Sequence, residues 1–152
     1  MNPIMIKGVS IKPLKTIVDE KGMVKHMMRR DSAEFKKFGE IYFSFIHNNA
    51  VKAWRLHAKT TLHYAIITGK IKLVLFDNRI GSPTKNEIVK IVTGGKKYEL
   101  ITIPPGVWYG FKGVSKETAI VANLTDLPHD PKEIKRMDPM KNTIFSYDWS
   151  KT

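Results

Sequence analysis

The sequence predicts a single all-β domain. Three observations carry that expectation: β-rich runs at roughly ten-residue spacing, glycine and proline at their ends, and few, short helix signals. At 152 residues the chain has the length of one domain. A chain of this size buries about 68–70% of its unfolded surface without help from a metal or disulfide. Residues 1–152 therefore read as one unit, and 42% apolar and 10% aromatic residues are globular values.

Taken in order, Tyr42-Phe43-Ser44-Phe45-Ile46 is the first clear strand, closed by His47-Asn48-Asn49. Val51 to Lys59 follows as a strand. Tyr64 to Thr68 and Ile71 to Phe76 flank Gly69-Lys70, a hairpin turn in which glycine supplies the positive φ. Glu87 to Thr93 stops at Gly94-Gly95, Tyr98 to Ile103 stops at Pro104-Pro105-Gly106, and Ala119 to Leu124 is a further short strand. One or two short helices are expected. Asp31 or Ser32 can cap a segment through Phe38. Asp130-Pro131-Lys132-Glu133 offers an N-cap, a first-turn proline and a capping glutamate. Many short strands with such turns indicate a sandwich or barrel.

Composition narrows the chemistry. The absence of cysteine excludes a disulfide scaffold, a thiolate zinc site and a cysteine nucleophile. No apolar run approaches the roughly 18 residues of a membrane span, and the first residues lack a signal-peptide pattern. A soluble cytoplasmic domain that contacts no membrane is the expectation. The 26 Lys+Arg and 14 Asp+Glu leave a net charge of +12. The lysines are dispersed, only five of the cations are arginine, and no nucleic-acid-binding motif is present. The charge thus reads as a solvated lysine surface or an anionic ligand in a pocket, with no nucleic acid as partner.

Chemistry concentrates at Val51-Lys52-Ala53-Trp54-Arg55-Leu56-His57-Ala58-Lys59. Residues two apart on a strand share a face, so Arg55, His57 and Lys59 point one way and Trp54 and Leu56 the other. Either the cationic face meets solvent, with Trp54 and Leu56 in the core, or it lines an anion pocket. In the second case those two cover the outside of the sheet, against another segment or subunit. His57 is the residue of this strand suited to proton exchange near neutrality. A metal at His57 is not expected: Arg55 holds the position of a His-x-His partner, and no acidic residue follows within ten. In Ile101 to Phe111 a strand meets a rigid Pro-Pro-Gly turn and leaves through aromatics, with Tyr109 a phenol donor if it faces the same cavity.

The order of these segments resembles one family. A strand ending in Leu56-His57, a hairpin glycine twelve residues on, Asp77-Asn78-Arg79-Ile80-Gly81-Ser82-Pro83-Thr84, and Ile103-Pro104-Pro105-Gly106 with Gly110-Phe111 resemble the dTDP-4-dehydrorhamnose 3,5-epimerases of the cupin superfamily. Asp19-Glu20-Lys21-Gly22, Thr125 and Asp148-Trp149 also fit, so the similarity runs from about Met5 to Trp149. The resemblance implies a cupin-type jelly-roll barrel, usually a homodimer, with an internal site that uses neither metal nor cofactor. It implies a nucleotide-diphosphate 4-keto-6-deoxysugar as ligand, a histidine that removes the proton α to the ketone, and a tyrosine that returns one on the opposite face. His57 falls on the catalytic histidine, and Lys21 falls where the family places an arginine toward the diphosphate.

The departures are specific. The family's Arg-Gly-Leu-His reads Trp54-Arg55-Leu56-His57, which shifts the guanidinium by one residue. Its His-Gly-Phe reads Tyr109-Gly110-Phe111, its acid tyrosine aligns with Ala122, and the aspartate that partners its histidine lies in a C-terminal extension not found here. The expected catalytic pair is therefore His57 and Tyr109, with Lys21, Arg55 and Lys59 toward the substrate. A non-catalytic sugar-nucleotide-binding module and a 3,4-ketoisomerase are the alternatives.

Overall fold

The computed structural model describes residues 4–151. Twelve strands form: β1 (Ser10–Pro13), β2 (Thr16–Asp19), β3 (Gly22–Lys25), β4 (Glu40–Ile46), β5 (Val51–His57), β6 (Leu62–Thr68), β7 (Lys70–Asp77), β8 (Ile88–Gly94), β9 (Glu99–Ile103), β10 (Val107–Gly113), β11 (Ala119–Thr125) and β12 (Ile134–Arg136). They make two five-stranded sheets, in the orders β1-β9-β6-β11-β4 and β12-β5-β10-β7-β8, and a separate β2–β3 hairpin. The paired strands are antiparallel. This is the jelly roll expected from the sequence.

Between the two sheets lie Tyr64, Ile66, Leu73, Leu75, Ile101, Ile103, Tyr109, Phe111 and Val121, all buried. The alternate residues of the second sheet face outward yet are equally dry. Trp54, Val74, Phe76 and Trp108 form a second cluster with Trp149, roofed by Phe145 and Tyr147 of the C-terminal segment. The Trp54 ring sits 4.7 Å from Phe145 and 5.0 Å from Trp149. Of the two sequence readings of this strand, the one that turns Trp54 and Leu56 toward another segment is the one observed. Lysines secure that segment: Lys112 Nζ donates to the Trp149 carbonyl at 2.8 Å, and Lys72 Nζ to that of Lys151. Gly110 is required where β10 bulges against β5, because a Cβ there would lie 2.4 Å from that of Ala53.

Helix content is lower than expected. The 31–38 segment is a run of turns in which Ser32 Oγ accepts from the Arg29 N–H at 3.0 Å and Phe38 points to solvent. Eight residues without a buried face cannot sustain the cost of helix nucleation. The Asp130-Pro131 signal gives a single 3₁₀ turn, Pro131–Glu133, capped by Asp130.

The Asp77 to Thr84 motif is a self-contained loop. The Asp77 carboxylate, fully buried, accepts from Arg79 Nε at 2.9 Å, Ser82 Oγ at 2.6 Å and Thr84 Oγ1 at 2.7 Å. Arg79 Nη2 reaches on to the Lys7 carbonyl at 2.7 Å, tying the loop to the N-terminal segment. Burial opposes the charge on Asp77, but these bonds outweigh it and hold the carboxyl well below its usual range. A depressed carboxyl contributes stability that is complete above the unfolded value, about pH 4, and is lost as pH falls. Asp77→Asn is expected to cost about 2–3 kcal/mol at pH 7 and to show a smaller further loss on acidification than the unaltered protein. Thermal unfolding followed between neutral and acidic pH checks both.

Candidate active site

Arg55 and His57 on β5 and Tyr109 on the neighbouring β10 share one face of the second sheet, Tyr109 directly opposite Arg55 in the ladder. The strand ends at His57, where the Pro-Pro-Gly turn closes against it: the Gly106 N–H donates to the His57 carbonyl at 2.7 Å. Gly106 adopts φ +83°, the left-handed region that glycine enters freely, so the turn can bring Val107 straight into β10.

His57 is the centre of a chain of three side chains. Its Nδ1 lies 2.6 Å from Glu133 Oε1, and its Nε2 lies 2.9 Å from the Tyr109 hydroxyl. A carboxylate only accepts, so Nδ1 carries the ring proton and, in the neutral ring, Nε2 accepts from Tyr109. Glu133 also accepts from the Thr60 hydroxyl at 2.9 Å and the Lys59 N–H at 3.0 Å. Burial works against its charge, but the Lys59 N–H, His57 and Thr60 together prevail and hold the carboxyl below its usual range. Burial pushes the Tyr109 phenol up, with Tyr42 adding to the shift, so it stays protonated at neutral pH and can donate. The Tyr64 phenol is raised by burial as well, and its ring meets Tyr109 edge-on at 6.0 Å.

Two adjoining cavities open beside this chain. The larger, about 410 Å³, is bounded by Tyr42, Lys52, Arg55, Tyr64, Tyr109 and Arg136. The smaller, about 250 Å³, shares Tyr42, Arg55 and Arg136 and adds Glu40, His57, His129 and Ile134. Arg55 and Arg136 stand directly opposite each other in the β5–β12 ladder. Among the described residues neither makes an ion pair with a carboxylate. Like charges in that register repel by up to about 1 kcal/mol. Burial lowers the Lys52 ammonium and neighbouring Arg55 adds to the effect, a third cation at the same wall.

The structure brings together Arg55, His57 and Tyr109 of the residues expected from sequence. Lys59 lies past the strand end; it lends its backbone N–H to Glu133 and lines a shallower neighbouring hollow with Thr60, His129 and Glu133. Lys21 sits at the tip of the β2–β3 hairpin, exposed and outside these cavities, where Asp19 Oδ1 accepts from its N–H at 2.8 Å. Glu133, Arg136 and Tyr42 did not emerge from sequence reasoning. The signal for Glu133 was visible but read locally, as a helix cap. Ala122 faces outward, opposite Phe43 and Ala65, and the inward neighbour on β11 is Asn123. His63 bonds two backbone carbonyls, of Leu124 at 2.9 Å and Glu34 at 3.0 Å, and is structural. Among the described residues no three histidine, aspartate or glutamate side chains converge as metal ligands.

Two five-stranded antiparallel sheets with a buried, carboxylate-backed histidine between them define a cupin-type jelly roll with a polar inner site. Comparison with known proteins makes the class specific: the chain belongs to the dTDP-4-dehydrorhamnose 3,5-epimerase family, whose profile matches residues 3–151. It is 30% identical to a probable low-salt glycan biosynthesis epimerase of Haloferax volcanii over 95% of each chain. It is 26% identical to a spore coat polysaccharide biosynthesis protein of Bacillus subtilis, over 96% of this chain and 97% of that one. The crystal structure of a dTDP sugar isomerase from Desulfovibrio desulfuricans G20 superposes with a TM-score of 0.92 at 38% identity, covering 97% of this chain and 94% of that one.

The Glu133–His57 contact makes a prediction independent of turnover. Neutral His57 is expected as the Nδ1–H tautomer in long-range ¹H–¹⁵N spectra. Glu133→Gln, which can donate as well as accept, is expected to erode that preference and cost about 1.5–3 kcal/mol for the lost charge-assisted bond.

Proposed function

We propose that this protein is an epimerase of a nucleotide-diphosphate 4-keto-6-deoxysugar in deoxysugar or polysaccharide biosynthesis, with His57 as the base. The observation that carries the reading is the 2.6 Å contact between His57 Nδ1 and the buried Glu133 carboxylate. It fixes the tautomer, so that Nε2 keeps a lone pair, which accepts from Tyr109 at 2.9 Å and would be freed for a substrate that displaces that hydroxyl. It also stabilises the imidazolium that forms when a C–H proton is taken. The family's aspartate is missing from this sequence, and Glu133 supplies a carboxylate in its stead. A merely ligand-binding module is suggested by two missing groups, the histidine's acidic partner and the proton donor, and Glu133 speaks to the first of them.

The arginine pair supports the rest of the reaction. Loss of the α proton leaves an enolate, and a guanidinium beside it lowers the barrier by opposing the developing charge. Arg55 is the nearer candidate for the enolate, and Arg136 with Lys52 for the diphosphate, where planar guanidinium groups bind oxygens in pairs. Lys59 would act at the outer end of the substrate. The protein would work in the cytoplasm; no described helix is long and apolar enough to cross a membrane.

The assembly proposed is a homodimer. The edge strand β4 turns Ile41, Phe43 and Phe45 outward, and the unpaired hairpin exposes Val18, Met23 and Val24. A second copy would cover both surfaces, and only across such an interface could Lys21 approach a substrate.

Two measurements test these readings. Incubated in heavy water with dTDP-4-keto-6-deoxyglucose, the protein is expected to incorporate deuterium at C3 or C5. His57→Ala should reduce incorporation by about 10²–10⁴-fold, and Arg136→Ala should raise KM by about 10–100-fold. Binding with no exchange would sink the epimerase reading in favour of a binding module, and a carbonyl moved to C3 would favour a ketoisomerase. In sedimentation equilibrium the protein is expected as a dimer, and Phe43→Lys with Phe45→Lys as a monomer.

A further inference from the structure

Inversion of a carbon centre needs a proton delivered from the face opposite the base. Tyr109, at 2.9 Å from His57 Nε2, stands beside the base and cannot straddle a sugar ring with it. We infer that Tyr42 is the acid that returns the proton, an assignment that rests on the epimerase reading above.

Tyr42 belongs to β4 of the first sheet, whereas His57 belongs to β5 of the second. Both line the smaller cavity, with Arg55 and Arg136 also in its wall. The phenol is held by Asn123, whose Nδ2 donates to the Tyr42 hydroxyl oxygen at 2.8 Å. The orientation of that amide is itself set, because Asn123 Oδ1 accepts from the His63 N–H at 3.2 Å and the side chain is buried. The Tyr42 oxygen therefore receives a hydrogen bond and keeps its own O–H free to donate. The other two phenols, which line the larger cavity, are placed differently. Tyr109 spends its proton on His57, and Tyr64 is sunk in the core against Tyr109 and Phe111. Asn123 and Tyr42 thus deliver a phenol from β4 at the level of β11 where Ala122, facing outward, offers none.

The step balances without a co-reactant. With the Tyr109 hydroxyl displaced from it by substrate, His57 Nε2 takes the proton from the carbon α to the ketone, and the C–H electron pair moves into the enolate. Tyr42 O–H then protonates that carbon from the other face as the carbonyl re-forms. The phenolate regains a proton from solvent and the imidazolium releases one to it, so no net proton is consumed.

The test separates exchange from inversion. In heavy water with dTDP-4-keto-6-deoxyglucose, Tyr42→Phe is expected to keep His57-dependent deuterium incorporation into unepimerised sugar. Formation of the inverted sugar should fall by about 10²–10⁴-fold, with the melting temperature close to that of the unaltered protein. Inversion at the unaltered rate in Tyr42→Phe, or its loss only in Tyr109→Phe, would overturn the assignment. So would loss of exchange and inversion together in a folded Tyr42→Phe, which would mark a role in binding or deprotonation. Absence of exchange by the unaltered protein would instead overturn the epimerase reading itself, and this assignment with it.

Discussion

The site depends on one short pairing, that of β12 with the edge of β5. Three residues, Ile134, Lys135 and Arg136, align with His57, Leu56 and Arg55. That register does two things at once. It sets Arg136 opposite Arg55, and it leaves Glu133, one residue earlier, at the level of the imidazole. The 3₁₀ turn that precedes it, rigid at Pro131 and capped by Asp130, fixes where the strand begins. A slip of one residue would send the arginine to the outer face and withdraw the carboxylate.

An edge strand of three residues is weak by itself, so its position must be enforced from outside. The Met137 N–H and carbonyl exchange hydrogen bonds with Trp54, each at 3.1 Å, continuing the tie beyond β12. The chain then folds back as Phe145, Tyr147 and Trp149 over Trp54, Phe76 and Trp108. Aromatic side chains bury about 150–250 Å² each, which makes this outer cluster a substantial part of what keeps the tail in place. Lys112 and Lys72, buried on the same face, satisfy tail carbonyls that would otherwise lack partners. The inner wall of the cavity and the outer aromatic roof are therefore two faces of one structure. Trp54 supports from behind the strand whose front carries Arg55 and His57.

Much of the fold was legible because it is written in period-two alternation and in turn residues. Gly69, Gly94 and Gly106 adopt positive φ at the turns where the sequence placed them. The strands that escaped notice, such as β1 and β12, are short and rich in lysine, arginine or proline, so that their pairing comes from context. His57 and Arg55 were legible for the same reason as the fold: alternation on a single strand puts them on one face. Glu133 and Arg136 were not, since their relation to β5 is a contact across more than 70 residues, recorded in no local pattern. The capping signature at Asp130 to Glu133 was real in its first half and misleading in its second. Asp130 caps the turn, but the glutamate leaves the turn to serve the histidine.

The charge of the chain divides along the same lines. Lysines dominate, and most face water, where screening over about 8–10 Å makes them interchangeable. The exceptions have work that depends on position: Lys72 and Lys112 hold the tail, and Arg79 neutralises the buried Asp77. Arg55 and Arg136 stand side by side on neighbouring strands at a cavity that Glu40 also lines, and among the described residues neither is in an ion pair. Such a pair is mildly unfavourable by itself, and folding tolerates it because the ladder and the aromatic roof fix both strands regardless. An anion bound at the pair, as the proposed function requires, would relieve that repulsion. Under the proposed function a site built this way would discriminate by charge first and by shape afterwards, with the histidine, its glutamate and the phenols acting only on what the arginines had positioned.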